Sequence, residues 1–381
     1  MGIYLDNAAT SYPKPEEVYK AVENVMRNIG GSPGRGGYRT ALEANRIIFE
    51  TREIIGKLFN IDDSSNIIFT SNATEALNIG IKGILTDGDH VITSSIEHNS
   101  VIRPLKSLEA RGKIYITKVM ASKNGYINPK DIENSINDKT RMIILIHASN
   151  VIGSITPIED IGKIAKKKNI IFMLDAAQTA GIFPIDVDTL NIDLIACPGH
   201  KSLYGPQGTG FLYIREGLNV NPLIEGGTGG NSESEIQPEE SPEKYESGTM
   251  NTPAIAGLME GIKFVLREGM DRIREYENKL TSYFIEGLKK INSVIIYGLG
   301  IKGERAPIVS FNINGHDPSS IGYILDKRYD ISVRTGLHCS PDAHRTIGSF
   351  PYGTIRASFS YFNKLSDIDY TLMALKEIAR S

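Results

Sequence analysis

The 381-residue sequence has no tryptophan and only two cysteines, Cys197 and Cys339. Two thiols cannot build a disulfide framework or a four-thiolate zinc site, so we predict a reduced protein with no metal site. Long apolar runs are also missing, since the best segments, 142–146 and 170–174, are far shorter than the ~18 residues of a membrane span. The N-terminus lacks the basic and apolar regions of a secretory signal. We therefore expect a soluble, cytoplasmic protein.

An excess of one charge is absent too, because 45 acidic residues accompany 42 basic residues and leave a formal charge of -3. A general nucleic-acid-binding surface is therefore not expected. Apolar residues make up 40 % of the chain and charged residues 23 %, which is typical of a folded globular protein. At about 150 residues per domain, the length predicts two or three domains.

The first 250 residues alternate short apolar segments with amphipathic ones. The apolar segments predict buried strands at 66–70, 90–94, 142–148, 170–174 and 193–196. Between them, apolar residues recur at helical spacing, as they do from Val18 to Ile29 and from Ile158 to Ile164. Apolar strands that alternate with helices are typical of a mostly parallel sheet covered on both faces.

The pattern changes after Pro253 and predicts a smaller α+β domain. Its predicted helices are roughly 254–268, 270–291, 319–327 and 366–379, and its predicted strands are 293–297, 307–313 and 354–358. The acidic segment 226–247, rich in Gly, Ser and Pro, predicts a long loop. The segment 298–303 matches G-x-G-x-x-G but leads into a strand, which favours a turn over a dinucleotide site for nicotinamide chemistry.

Two polar residues follow neighbouring predicted strands. Lys201 lies in a loop rich in Gly and Pro after one strand, and Asp175 ends the strand before it. Open α/β sheets bind ligands at the carboxyl ends of their strands. A lysine there can form an imine with an aldehyde cofactor, and a carboxylate can keep a pyridinium nitrogen protonated. Taken alone, each residue also fits a surface or turn role, but the pair predicts a pyridoxal phosphate (PLP) site.

Three further strand ends agree with this cofactor. The segment 70–77 joins a strand to a helix and clusters hydroxyl groups at the helix start, where free N–H groups favour a phosphate. His98 follows a second strand, and its imidazole could lie against the pyridine ring. Asn150 follows a third strand, and together with Gln178 it could hydrogen-bond the phenolic oxygen. Each residue alone is compatible with a structural role, whereas all of them agree on one ligand.

These motifs, in this order, resemble those of PLP enzymes of aminotransferase class V, most closely the group II (NifS-like) cysteine desulfurases and selenocysteine lyases. The matching segments include 4–10 (YLDNAAT), 245–249 (YESGT), 334–339 (RTGLHC) and 355–359 (IRASF). The resemblance implies an α/β, PLP-dependent transferase type I fold, in which a large domain with a mostly parallel seven-stranded sheet between helices precedes a smaller α+β C-terminal domain. The implied boundaries are 16–255 for the large domain, and 1–15 with 256–381 for the small one.

The resemblance also implies the site residues. Lys201 would bind PLP covalently and move the α-proton, and His98 would stack on the ring and assist as an acid or base. The implied cofactor-binding set is Ala73, Thr74, His98, Asn150, Asp175, Gln178, His200, Lys201 and Thr249, with Thr249 reaching over from the partner of a homodimer. The implied substrate-binding set is Asn150, Arg334 and Arg356, with the Arg356 guanidinium on the α-carboxylate. Ala73 and Pro198 stand where the family often has hydroxyl residues, which implies fewer phosphate donors.

Cys339 has the central role in the reaction that the resemblance implies. Its thiol would take sulfur from L-cysteine as a persulfide, release L-alanine and pass the sulfur to an acceptor protein, as in iron–sulfur cluster assembly. Arg334, His338 and His344 are close in sequence, and we expect these cationic neighbours to favour the thiolate. The alternatives are selenocysteine lyase, another class V lyase or transaminase acting on a different amino acid, and a sulfur-relay scaffold that forms no alanine.

Overall fold

The structure, a computed structural model, describes residues 2–34, 36–230, 233–298 and 304–380. Its strands are β1 Ile3–Tyr4, β2 Ile67–Thr70, β3 His90–Ser94, β4 Tyr115–Val119, β5 Thr140–Ile146, β6 Ile171–Asp175, β7 Leu194–Pro198, β8 Gly210–Ile214, β9 Val294–Ile296, β10 Ile308–Ile313, β11 Ile331–Ser332, β12 Arg334–Gly336 and β13 Thr354–Ser358. Its α-helices are α1 Glu16–Asn24, α2 Arg39–Phe59, α3 Ala73–Ile84, α4 Asn99–Ala110, α5 Pro129–Asn134, α6 Ile158–Lys168, α7 Thr252–Glu268, α8 Met270–Leu288, α9 Pro318–Tyr329, α10 Pro341–Ile347 and α11 Leu365–Ile378.

Within the described residues, seven strands form the central sheet in the order β2-β8-β7-β6-β5-β3-β4. β8 is antiparallel to both of its neighbours, and the other neighbouring pairs are parallel. The prediction of a mostly parallel, seven-stranded sheet is therefore confirmed. The sequence patterns missed β4 and β8 as strands. Only Val119 of the five β4 residues is buried, because the strand lies at the edge of the sheet, so β4 lacks the all-apolar signature of the inner strands.

The central sheet separates two apolar layers. Met142 and Ile144 of β5 pack with residues of α3 and α4 on one face, whereas Ile143 and Leu145 pack with residues of α2, α6 and α7 on the other. Successive side chains of a strand point to opposite faces, so each strand that is covered on both sides must be apolar throughout. The packed layers fix the strand ends, from which the polar residues of the site project.

The C-terminal part has its own core, as the predicted α+β arrangement requires. Its antiparallel sheet has the order β12-β13-β10-β9, and residues of α8, α9 and α11 pack with it. The N-terminal segment joins this core, because β1 pairs in parallel with β11 and the side chain of Leu5 is fully buried there. The domain boundaries given above stay a prediction.

The predictions of a loop at 226–247, a turn at 298–303 and no membrane span concern the rest of the chain. The described residues of 226–247 contain no helix or strand, in agreement with the predicted loop. Of the predicted turn at 298–303, residues 299–303 lie outside the described residues. In the part of the chain that the structure describes, no helix combines the length and apolar character needed to cross a bilayer.

We expect Leu5→Ala to lower the free energy of unfolding by about 3 kcal/mol, because it removes a fully buried side chain and leaves a cavity. Denaturant unfolding measures this change. Leu266→Ala is the matched control, since the Leu266 side chain on α7 is 43 % exposed and its loss should cost less than about 0.5 kcal/mol. Equal effects of the two substitutions would contradict a structural role for the N-terminal segment in the C-terminal core.

Candidate active site

A cavity of about 210 Å³ opens at the edge of the central sheet where the carboxyl ends of its strands meet. β2, β3, β5, β6 and β7 all run toward this edge, since β2 and β7 are both antiparallel to β8. Residues of β12, β13 and the loop after β12 close the cavity from the other side. The predicted residues that line it are Ala73, Thr74, His98, Asn150, Asp175, Gln178, His200, Lys201, Arg334, Cys339 and Arg356.

Lys201 and Asp175 form an amine and carboxyl pair at this edge. Burial lowers the pKa of Lys201 to about 8, although the nearby Asp175 opposes this shift. Burial also raises the pKa of Asp175, while its Oδ1 accepts a hydrogen bond of 2.9 Å from the backbone N–H of Ala177. Gln178 lies beside the pair and donates from Nε2 to the carbonyl of Ala8 at 3.1 Å. The lysine amine is therefore far closer to its neutral, nucleophilic form than an exposed lysine.

His98 stands at the start of α4 with a defined proton position. Its Nδ1 accepts a hydrogen bond of 3.1 Å from the backbone N–H of Ser100. Burial, reinforced by the charge of Lys201, lowers the pKa of His98 to about 4, so the ring is neutral at pH 7. Because Nδ1 is an acceptor, the single ring proton lies on Nε2. The Ser100 hydroxyl also lies 2.7 Å from Oγ1 of Thr74, which links the ring to the start of α3.

The start of α3 provides the donors of an anion site. Asn72 caps the helix by accepting the backbone N–H three residues later at 3.0 Å, and the first-turn residues Ala73 and Thr74 line the cavity. The free N–H groups of a first helical turn favour a negative charge. His200 lies across the cavity, and its buried Nδ1 has no hydrogen-bond partner among the described residues. Pro198, which also lines the cavity, contributes no N–H donor.

Arg356 is 3 % exposed and forms the cationic end of the cavity with Arg334. Its Nη1 donates to the carbonyl of Asn150 at 2.8 Å, and its Nη2 donates to Oδ1 of Asp6 at 2.9 Å. The buried Nε of Arg356 has no partner within the described ranges. Asp6 was not among the predicted site residues. The available signal was its place in the 4–10 motif, but its arginine partner lies 350 residues away along the chain.

Cys339 is exposed and lines the same cavity. Cys339 and His338 both have positive φ angles, 58° and 47°, which are uncommon for residues other than glycine. Hydrogen bonds hold this backbone from two sides. Asn150 Nδ2 donates to the carbonyl of His338 at 2.7 Å, Ser340 Oγ donates to Asn150 Oδ1 at 2.8 Å, and the backbone N–H of Asn99 donates to the carbonyl of Cys339 at 2.8 Å. The backbone that carries the thiol is therefore held in place at the edge of the cavity.

The expectation that His338 and His344 act as cationic neighbours of Cys339 was wrong. Burial lowers the pKa of His338 well below its ordinary value and that of His344 to about 4, so both rings are neutral at pH 7. Arg334 and Arg356 supply the positive charge at this end of the cavity. His338 does line the cavity with Cys339, but sequence proximity carries no information on burial.

Thr249 and Cys197 lie apart from these residues. Thr249 lines a second cavity, of about 590 Å³, together with glycines of 227–230 and Gly34. Its predicted contact with the cofactor across a dimer is not tested by one chain and stays a prediction. Cys197 is fully buried in β7, where burial raises the pKa of its thiol. It therefore lacks the exposure that Cys339 has.

Comparisons with known proteins identify the family of the chain. The family model described as aminotransferase class V matches residues 3–371. A probable cysteine desulfurase of Methanothermobacter thermautotrophicus is 35 % identical over 387 aligned positions, which cover 99 % of this chain and 94 % of that protein. Cysteine desulfurase IscS of Dictyoglomus turgidum is 35 % identical over 390 positions, with coverage of 99 % and 94 %.

A solved structure is similar over the same length. The apo structure of a cysteine desulfurase from Thermococcus onnurineus NA1 has a TM-score of 0.91 and 33 % sequence identity, and the match covers 100 % of this chain and 95 % of that one. The fold and the family predicted from the sequence motifs are thus confirmed. The chain belongs to the class V aminotransferase family and, within it, to the NifS-like cysteine desulfurases.

Proposed function

We propose that this protein is a PLP-dependent cysteine desulfurase that converts L-cysteine to L-alanine and keeps the sulfur as a persulfide on Cys339. One observation carries the proposal: the amine of Lys201, the carboxyl of Asp175, an arginine pair and an exposed thiol all line one cavity. The names of the full-length relatives, which are cysteine desulfurases, support the same reaction.

The polar and aromatic side chains that line the cavity fit PLP. The carboxyl of Asp175 suits the pyridinium nitrogen, and the flat, neutral ring of His98 suits the face of the pyridine. The first turn of α3, Thr74 and the unpartnered Nδ1 of His200 suit the phosphate. When bound, PLP supplies an electron sink that stabilises negative charge at the substrate Cα.

The side chains of this chain then have distinct tasks. Arg356 binds the α-carboxylate through the N–H groups that Asn150 and Asp6 leave free, including Nε. Lys201, as the neutral amine, takes the α-proton. The thiolate of Cys339 attacks Sγ of the substrate, so that an S–S bond forms, the Cβ–Sγ bond breaks and its electron pair stays on carbon. The proton lost by the Cys339 thiol goes to Cβ, and the proton held by Lys201 returns to Cα, which completes L-alanine. The exposed Cys339 then passes the sulfur to an acceptor protein.

We also propose a homodimer in which Thr249 contacts the partner's cofactor. Thr249 lies outside the site of its own chain. Met26 on the π-helical turn Val25–Ile29 and Leu42 and Phe49 on α2 are exposed, and large exposed apolar side chains fit an interface with a second copy. Sedimentation equilibrium should give twice the mass of the chain, and a monomer at micromolar concentration would contradict this arrangement.

Replacing Cys339 tests the persulfide step. We expect Cys339→Ala to lower alanine formation from L-cysteine by at least about 100-fold, because the substitution removes the attacking nucleophile. Cys197→Ala is the matched control and should keep activity, since Cys197 is buried in β7. Measuring alanine from L-selenocysteine in parallel distinguishes cysteine desulfurase from selenocysteine lyase activity. Selenium is the better leaving group, so its release depends less on the Cys339 thiol. Unchanged turnover of L-cysteine in Cys339→Ala would exclude the proposed mechanism.

The pKa of Lys201 predicts how covalent capture of PLP depends on pH. An amine with a lowered pKa becomes neutral at lower pH, so capture by the apo chain should rise with a midpoint near 8, not near the about 10.4 of an exposed lysine. Borohydride trapping after a short incubation, followed by peptide mass spectrometry, measures the captured fraction. Lys201→Arg should abolish it. Labelling of another lysine, or a midpoint near 10, would rule out Lys201 as the attachment point.

A further inference from the structure

Asp6 places a carboxylate between the two arginines of the cavity. Its Oδ1 lies 2.9 Å from Nη2 of Arg356, and its Oδ2 lies 4.0 Å from Nη1 of Arg334. The two oxygens of one carboxylate thus face two different guanidinium groups. Arg356 is almost completely buried, whereas the Arg334 side chain is 42 % exposed, so Asp6 stands at the border between the buried and the open cation.

The backbone around Asp6 is fixed to the strand that carries Arg356. Asn7 Nδ2 donates to the carbonyl of Ser358 at 3.0 Å, and the backbone N–H of Ala8 donates to Ser358 Oγ at 2.8 Å. The carbonyl of Asp6 accepts the backbone N–H of Ala9 at 3.0 Å. Because Asn7 and Ala8, the two residues that follow Asp6, are both held to β13, the carboxylate has a defined position relative to the arginines.

Arg334, Arg356 and Asp6 together carry one excess positive charge at this end of the cavity. His98 and His338 line the cavity but are neutral at pH 7, since burial lowers the pKa of each ring. Arg334 and Arg356 contribute two positive charges, and Asp6 contributes one negative charge. One substrate carboxylate neutralises the excess charge of these three groups. A second carboxylate would face Arg334, whose charge Asp6 already neutralises.

We propose that Asp6 is a positioning residue that restricts this site to amino acids with one carboxylate. It holds one edge of Arg356 and leaves Nε and the remaining N–H groups to the α-carboxylate. It also offsets Arg334, so that a dicarboxylic amino acid such as L-aspartate gains no second ion pair and faces the negative charge of Asp6. The proposal rests on the proposed function only in taking Arg356 as the carboxylate-binding group.

Direct binding to the PLP-loaded enzyme tests this role without any sulfur chemistry. Succinate and butyrate share a four-carbon chain and differ by one carboxylate, and calorimetry gives the dissociation constant of each. We expect wild-type protein to bind butyrate at least as tightly as succinate. In Asp6→Asn, the affinity for succinate should rise at least about tenfold relative to the affinity for butyrate. The reason is that Arg334 becomes free to form a charge-assisted hydrogen bond with the second carboxylate.

Two further variants serve as matched controls. Asp6→Glu keeps the charge and should keep the wild-type ratio, whereas adding Arg334→Gln to Asp6→Asn should remove the gain for succinate.

Thermal melting checks that each variant is folded, and Asp6→Ser replaces Asp6→Asn if the latter melts early. An equal loss of both ligands, or an unchanged ratio, in a folded neutral variant overturns the proposal. If the ratio shifts as expected while L-cysteine yields no alanine, the proposed function fails and the role of Asp6 stands.

Discussion

The burial of Lys201 beside Asp175 is the interaction on which the site depends. Removal from water favours the neutral form of both groups, and their mutual attraction favours the charged forms. The outcome for Lys201 is a pKa close to neutrality, which an exposed lysine cannot have. Asp175 is 2 % exposed at the end of β6, and the apolar layers on both faces of the central sheet fix the strands that carry the two groups, so the packing of the fold positions the amine and the carboxyl.

The N-terminal segment also holds the backbone that carries Lys201. The backbone N–H of Ser11 donates to the carbonyl of His200 at 3.0 Å, and the Ser11 hydroxyl donates to the carbonyl of Lys201 at 2.8 Å. Lys14 Nζ donates to the same carbonyl of His200 at 2.8 Å. The carbonyls of His200 and Lys201 are therefore held by the first 14 residues of the chain. The same segment carries Asp6 and buries Leu5 in the C-terminal core, so it joins both ends of the cavity.

Much of the site follows from sequence because parallel strands end at one edge. Residues at those ends, such as Asp175 and Lys201, must converge whatever the helices between them do. Two features that depend on the three-dimensional surroundings could not be predicted. The contact of Asp6 with Arg356 joins residues from opposite ends of the chain, and the neutral state of His338 results from burial. The edge strand β4 was missed for a related reason, since its half-exposed residues leave no apolar run.

The left-handed backbone at Cys339 has a consequence for where sulfur can go. Hydrogen bonds hold the loop to Asn150, in the loop after β5, and to Asn99, the first residue of α4, which binds the carbonyl of Cys339. A sulfur atom bound to this thiol could move only as far as side-chain rotation of Cys339 allows, because hydrogen bonds hold the backbone of the loop. In the proposed reaction, an acceptor must therefore bring its own nucleophile to Cys339.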